Sequence, residues 1–411
     1  MSTLNIKDVR KHFPALSGDF IYFENAGGSQ VLEAVAQKIA DYLLHTNVQL
    51  GATYPVSVAS SERVNEGVRA AQLFMNAKEP SECIFGSSTT QLLANLSKAM
   101  SSTLKPGQEV IVTNTDHEAN IGSFVRMAES HGLKVVYWKA DPKTLLLSLD
   151  DLRALLNSNT RLVAVTHCSN ILGTINDIKA IAELVHEIPG AEICVDGVAY
   201  SPHRRIDVQK FQVDYYAFSW YKVYGPHVSV LYARKSCMKE LGALNHYFIP
   251  EDDYPYKFQP GNLNYELTYA TSAVVEYFNR LGAEENVSAK IIPSNLDRAF
   301  QKVAAHEETL AKRLLDFLNS KESVRIIGLA DSDPQLRVPT ISFVVKGMDS
   351  DQVVSHVDNS QKIGIRWGHM YAKRLVEDLL GLVGGVVRVS MVHYNTVEEV
   401  DQLIRVLDEI L

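Results

Sequence analysis

Cysteine is scarce: four residues in 411, at Cys83, Cys168, Cys194 and Cys237, with no CxxC pair and no grouping with histidine at metal-ligand spacing. A disulfide framework and a structural zinc site both need such groupings, so neither is expected; no metal is expected, and a reducing compartment is. No run approaches the roughly 20 apolar residues that a membrane helix requires. Residues 1–17 mix charges without an apolar stretch, which is unlike a secretory leader. An excess of positive charge is also missing. Lys and Arg total 40 against 48 Asp and Glu, for a net charge of -8, so a phosphate backbone is repelled and nucleic acid is not an expected partner. Repeats and low-complexity tracts are lacking too. A cytoplasmic protein that is neither membrane-bound nor nucleic-acid-bound is the expectation.

What is present is a long chain with 46% hydrophobic and 21% charged residues, enough for a large core and more than one domain. Short β-rich runs at 109–113, 133–138, 161–166, 192–196, 215–218 and 228–232 are separated by helix-length segments such as 118–130. That alternation predicts a largely parallel, helix-covered sheet, whose ligands collect at the carboxyl ends of the strands. The last third reads differently. A long helix is expected over 294–319 after Pro293, and a strand over 338–345. An amphipathic helix over 396–411 is opened by a capping box of Thr396 and Glu399. The expected division is an N-terminal segment, 1–20, packing on a smaller C-terminal α+β domain, 285–411, with a large domain over 21–284.

Four groups fall in chain order at the expected strand ends. Gly86-Ser87-Ser88-Thr89-Thr90 lies between a strand-like and a helix-like run, and His117 stands just before a helix. Ile193-Cys194-Val195-Asp196 ends in a carboxylate, and Tyr216-Ala217-Phe218-Ser219-Trp220-Tyr221-Lys222 ends in an amine. Each alone has an ordinary reading: an N-cap, a structural histidine, a salt-bridge partner, a surface lysine. Together they match what pyridoxal 5'-phosphate (PLP) asks of a protein. Its aldehyde takes a lysine as a Schiff base, its pyridine nitrogen takes a carboxylate, and its phosphate takes helix-start amides and hydroxyls.

Longer motifs carry a specific resemblance. Ser169-Asn170-Ile171-Leu172-Gly173-Thr174-Ile175-Asn176, the stretch SWYKVYGPH around Lys222, Phe258-Gln259-Pro260-Gly261-Asn262-Leu263-Asn264 and RVSMVHYNTVEE from Arg388 resemble segments of the group II cysteine desulfurases in the class V aminotransferase superfamily. The resemblance implies the α/β fold of PLP fold-type I, with a mostly parallel seven-stranded sheet, and a homodimer with active sites at its interface. It implies that Lys222 holds the cofactor, Asp196 its pyridine nitrogen and Asn170 its phenolic edge, while His117 stacks on the ring. Ser88, Thr89, Thr90 and Ser219 would serve the phosphate, Asn262 the partner subunit's phosphate, and Arg388, with Arg366 as a second anion binder, the substrate carboxylate.

The sequence departs from that family where sulfur chemistry is done. The desulfurase segment RTGHHCA is Arg366-Trp367-Gly368-His369-Met370-Tyr371-Ala372 here, so Tyr371 replaces the sulfur-accepting cysteine. A phenol cannot form a persulfide. Ala199 replaces a polar residue three positions after the aspartate, leaving Tyr200 as a substitute hydrogen-bond donor, and Tyr221 replaces the histidine before the lysine. These changes, with Glu24-Asn25-Ala26-Gly27-Gly28-Ser29-Gln30, resemble a subgroup containing fungal loline-type cyclases and C–S lyases. The expected enzyme acts on an amino acid through a Cα carbanion, closing a ring by Mannich-type carbon–carbon bond formation, with Tyr221 and Tyr371 contacting the substrate. An aromatic pocket of Tyr200, Trp220, Tyr221 and Tyr371 would suit a cationic electrophile. Elimination of a sulfur leaving group is the rival reaction, and a non-catalytic scaffold is the alternative of another class.

Overall fold

A computed structural model of the chain describes residues 4–284 and 290–411. Its strands, in chain order, are β1 (Ile21–Tyr22), β2 (Cys83–Gly86), β3 (Glu109–Thr113), β4 (Lys134–Trp138), β5 (Thr160–Thr166), β6 (Glu192–Asp196) and β7 (Tyr215–Ser219). There follow β8 (Ser229–Ala233), β9 (Val324–Ile327), β10 (Thr340–Val345), β11 (Ile363–Gly364), β12 (Arg366–Gly368) and β13 (Val386–Ser390).

The main sheet has seven strands in the order β2-β8-β7-β6-β5-β3-β4. Only β8 runs against the others, pairing antiparallel with both β7 and β2. Its strands are near-continuous apolar runs because both faces are covered by helices. Successive side chains alternate between two cores: Ile193 and Val195 of β6 join Val163, Val165 and Phe218, while Cys194 joins Ala164 and Ala217 on the other face. The parallel strands β3, β5, β6 and β7 therefore end at one edge, and their carboxyl ends carry the polar residues Thr113, Thr166, Asp196 and Ser219.

The C-terminal third builds a second sheet, β12-β13-β10-β9, on a core of its own that includes Leu310, Leu314, Phe343, Val389 and Leu403. The helix expected over 294–319 spans Pro293–Asn319, with Pro293 at its first turn. The strand expected from 338 begins at Thr340, because Pro339 has no N–H to give the ladder and the Val338 N–H is already committed to the Gly173 carbonyl. The last helix, Val397–Asp408, has the expected capping box, which contributes about 1 kcal/mol. The chain's start reaches this region: β1 pairs in parallel with β11, and Arg10 donates to Glu399 at 2.8 Å. Residues 285–289, where the expected domain boundary falls, and residues 1–3 lie outside the described residues.

Candidate active site

A cavity of about 500 Å³, mouth included, opens at the carboxyl edge of the main sheet. Ser88, Thr89, Thr90, His117, Asn170, Asp196, Ser219, Tyr221 and Lys222, all expected from the sequence, border it. The strand ends explain the convergence. Asp196 is the last residue of β6, Ser219 the last of β7, and Lys222 closes the single 3-10 turn that follows. The helix Thr89–Met100 starts after β2 with Ser88 as N-cap, its hydroxyl accepting from the Gln91 N–H at 3.1 Å. The amides of Thr89 and Thr90 precede any i−4 acceptor and are free for an anion. Behind them, the hydroxyls of Thr89, Ser219 and Ser229 form a buried chain at 2.8 and 2.7 Å.

Electrostatics separates the roles. Burial and the charge of Arg388 disfavour the Lys222 ammonium, pulling its pKa down to about 8 against the opposing pull of Asp196 and Glu24. Its Nζ makes no hydrogen bond or ion pair among the described residues. Asp196 is buried, which raises its carboxyl above the usual carboxylate range, and Oδ1 accepts from the Val198 N–H at 2.9 Å. Burial, with Lys222 and Arg388 nearby, lowers the His117 pKa to about 4. His117 Nδ1 accepts from the Ala119 N–H at 3.1 Å, so the neutral ring carries its proton on Nε2.

The remaining expected residues stand elsewhere. Arg388 is buried beside the cavity residue Asn170, donating to its carbonyl at 3.0 Å and to Glu24 at 2.9 Å. Arg366 is exposed beside it. Tyr371 is exposed, with its ring 5.2 Å from that of His117. Asn262 is exposed and borders a neighbouring cavity with Phe258 and Gln259. The expected aromatic pocket is corrected. Trp220 turns into the core against Phe74 and Phe218, and Tyr200 stacks on His167 at 3.5 Å. Trp220 opens the 3-10 turn after β7 and Tyr200 lies in the turn after β6; neither borders the cavity, and Ala199 does. Tyr200 therefore does not supply the missing hydrogen bond.

Two acids went unread in the sequence. Asp116 is buried between Thr113 and Asn120, its carboxyl pushed up to about 7 by burial and by Asp196. Glu24 pairs with Arg388; its sequence signal is the following Gly27, where a Cβ would fall 2.1 Å from the Glu24 carboxylate.

The residues present fit PLP. The cavity combines an amine without a hydrogen bond or ion pair among the described residues, a buried carboxylate and free helix-start amides. It also borders Asn170, whose Nδ2 donates to the Met370 carbonyl at 2.9 Å while its Oδ1 is buried with no partner among the described residues.

Comparison with known proteins agrees. The Aminotransferase class-V family matches residues 21–403. The chain is 46% identical to the aminotransferase-like protein FGM3 of Gibberella zeae, over 100% of this chain and 99% of that one. It is 35% identical to the cysteine desulfurase-like protein ustD of Aspergillus flavus, over 100% and 91%. Identity is 38% to the nonribosomal peptide synthetase-like enzyme fsqF of Aspergillus fumigatus over 98% of this chain, which spans only 26% of that longer protein. In fold, it matches the apo cysteine desulfurase of Thermococcus onnurineus NA1 with a TM-score of 0.87 at 24% identity, over 100% of this chain and 98% of that one. With a family match across nearly its whole length and a cavity that fits the PLP its members use, the chain belongs to the class-V aminotransferase family.

Proposed function

We propose that the chain is a PLP-dependent enzyme that acts at the Cα of an amino-acid substrate and forms a carbon–carbon bond there, as in a Mannich-type ring closure of secondary metabolism, and that it does not desulfurise cysteine. The observation that carries the reading is the Lys222 amine, free of hydrogen bonds and ion pairs among the described residues, beside the buried Asp196, in a cavity without a reactive thiol. Cys168 is the cysteine that borders the cavity. Its thiol is pushed up to about 12 by burial and engages the Gly173 carbonyl at 3.3 Å, so it is not a thiolate nucleophile. Position 371, where a desulfurase has its cysteine, is a tyrosine. The similarity to a nonribosomal peptide synthetase-like enzyme supports amino-acid chemistry of the secondary kind.

PLP, when bound, supplies an electron sink for a Cα carbanion. The chain's residues do the rest. Lys222 would hold the cofactor covalently, and its amine, neutral in part near pH 7, accepts the Cα proton. Asp196 would hold the pyridine N–H, and the neutral His117 offers its ring as a stacking face. The amides at Thr89 and Thr90, with the hydroxyls of Ser88 and Ser219, take the phosphate, and Arg388 takes the substrate carboxylate.

The test has two parts. Borohydride reduction of PLP-loaded protein should fix the cofactor on the peptide containing Lys222, and Lys222→Ala should lack that adduct. A protein that takes up no PLP overturns the enzyme reading. Mass spectrometry of products should then find one retaining the amino-acid carbons after reaction of an amino acid bearing a secondary amine with an added aldehyde. Pyruvate from a cysteine conjugate would instead make the chain a C–S β-lyase, and persulfide from free cysteine would make it a desulfurase.

A further inference from the structure

Arg366 and Arg388 face each other directly across the antiparallel pair β12 and β13. Like charges at opposed positions repel. The structure offsets this with one carboxylate: Glu24 Oε1 lies 2.9 Å from Arg388 and 3.6 Å from Arg366. The carboxylate is fixed from behind. Glu24 bridges in parallel to Ser390, two residues beyond Arg388, and the Asn25 N–H donates to the Ser390 carbonyl at 3.3 Å. Gly27 leaves the space that the carboxylate fills. Arg388 keeps its Nε buried and, among the described residues, without a partner, so the guanidinium is not saturated.

We propose that Glu24 sets the charge selectivity of the site. Two guanidiniums against one carboxylate leave a net charge of +1 where the substrate's carboxylate is held. This matches an amino acid with a single carboxylate and a neutral or cationic side chain, and it disfavours a second carboxylate on the substrate. The assignment rests on the reading of Arg388 as the carboxylate binder. It makes Glu24 a specificity-determining residue acting through the two arginines, with no part in proton transfer.

The experiment compares L-glutamate with L-glutamine, which share a shape and differ by one charge, as ligands of the PLP-loaded protein in calorimetric titrations. The wild type should prefer glutamine. In Glu24→Gln the preference should move toward glutamate by about tenfold, as expected for one unscreened neighbouring charge. Arg366→Gln, at an exposed side chain that leaves the fold intact, should move the preference the other way. A purely structural role for Glu24 would weaken both ligands together and leave their ratio alone. An unchanged ratio in both variants, or no gain of glutamate binding in Glu24→Gln when the wild type binds neither ligand, overturns the proposal. Should Glu24→Gln not fold, the direction of change in Arg366→Gln decides alone. A protein that takes up no PLP overturns the enzyme reading and this proposal with it, whereas a loaded protein whose ratio does not move overturns only the role of Glu24.

Discussion

Lys222 must be an amine, not an ammonium, when it meets an aldehyde, and its surroundings favour that form. Its folded pKa is lowered to about 8, so the neutral fraction grows from a minority at pH 7 to a majority above pH 8. The rate at which apoprotein takes up PLP, followed by visible absorbance, should therefore rise with pH and level off above about 8. His117, already neutral above about 4, should add no inflection in that range. A rate that is flat from about pH 6 to about pH 9 would contradict the assignment of Lys222. At this scale the convergence of residues on one cavity was legible: Lys222, Asp196 and His117 because strand ends announce themselves in apolar runs, and Asn170 through the family resemblance of its segment. Glu24 was not, since an acid means little until its partners, 342 and 364 residues away in the chain, are known. Trp220 and Tyr200 were misassigned because adjacency in sequence to a site residue does not set the direction of a side chain.

The loop that carries Asn170 is held by the second sheet and by Arg337 just before its strand β10. The Ile171 carbonyl accepts from Ser342 at 2.7 Å, the Leu172 carbonyl accepts from Arg337 at 3.4 Å, and the Asn170 carbonyl accepts from Arg388. Arg337 is itself 1% exposed and spends its guanidinium entirely on backbone carbonyls, including those of Leu329, Val338 and Thr340. Arg337→Leu should leave those acceptors unsatisfied and destabilise the protein by roughly 3 kcal/mol, readable in urea denaturation, with weaker PLP retention in the fraction that folds. An unchanged midpoint would show that water replaces the guanidinium. The main-sheet strands, β10 and the capped last helix were legible from apolar runs and caps, whereas the short strands β1, β9, β11 and β12, and β13, were not. This clamp was not, because nothing local distinguishes a buried arginine from an exposed one.

On the scale of the molecule, apolar side chains remain uncovered: Leu44 is 77% exposed, Phe248 69% and Tyr247 99%, with Tyr54, Val56 and Val58 also open. Large apolar side chains open to solvent are available for burial in an association surface. Sedimentation equilibrium should return twice the chain mass, the homodimer that the sequence resemblance implies, and a monomer at micromolar concentration would remove that expectation. The pairing of β1 with β11, and of Glu24 with Arg388, has a temporal consequence as well. A ribosome releases the first strand and the glutamate more than 300 residues before their partners exist, so the main sheet can assemble while the corner of Glu24, Arg366 and Arg388 cannot. A nascent chain thus carries Glu24 without either of its arginine partners until its synthesis is nearly finished.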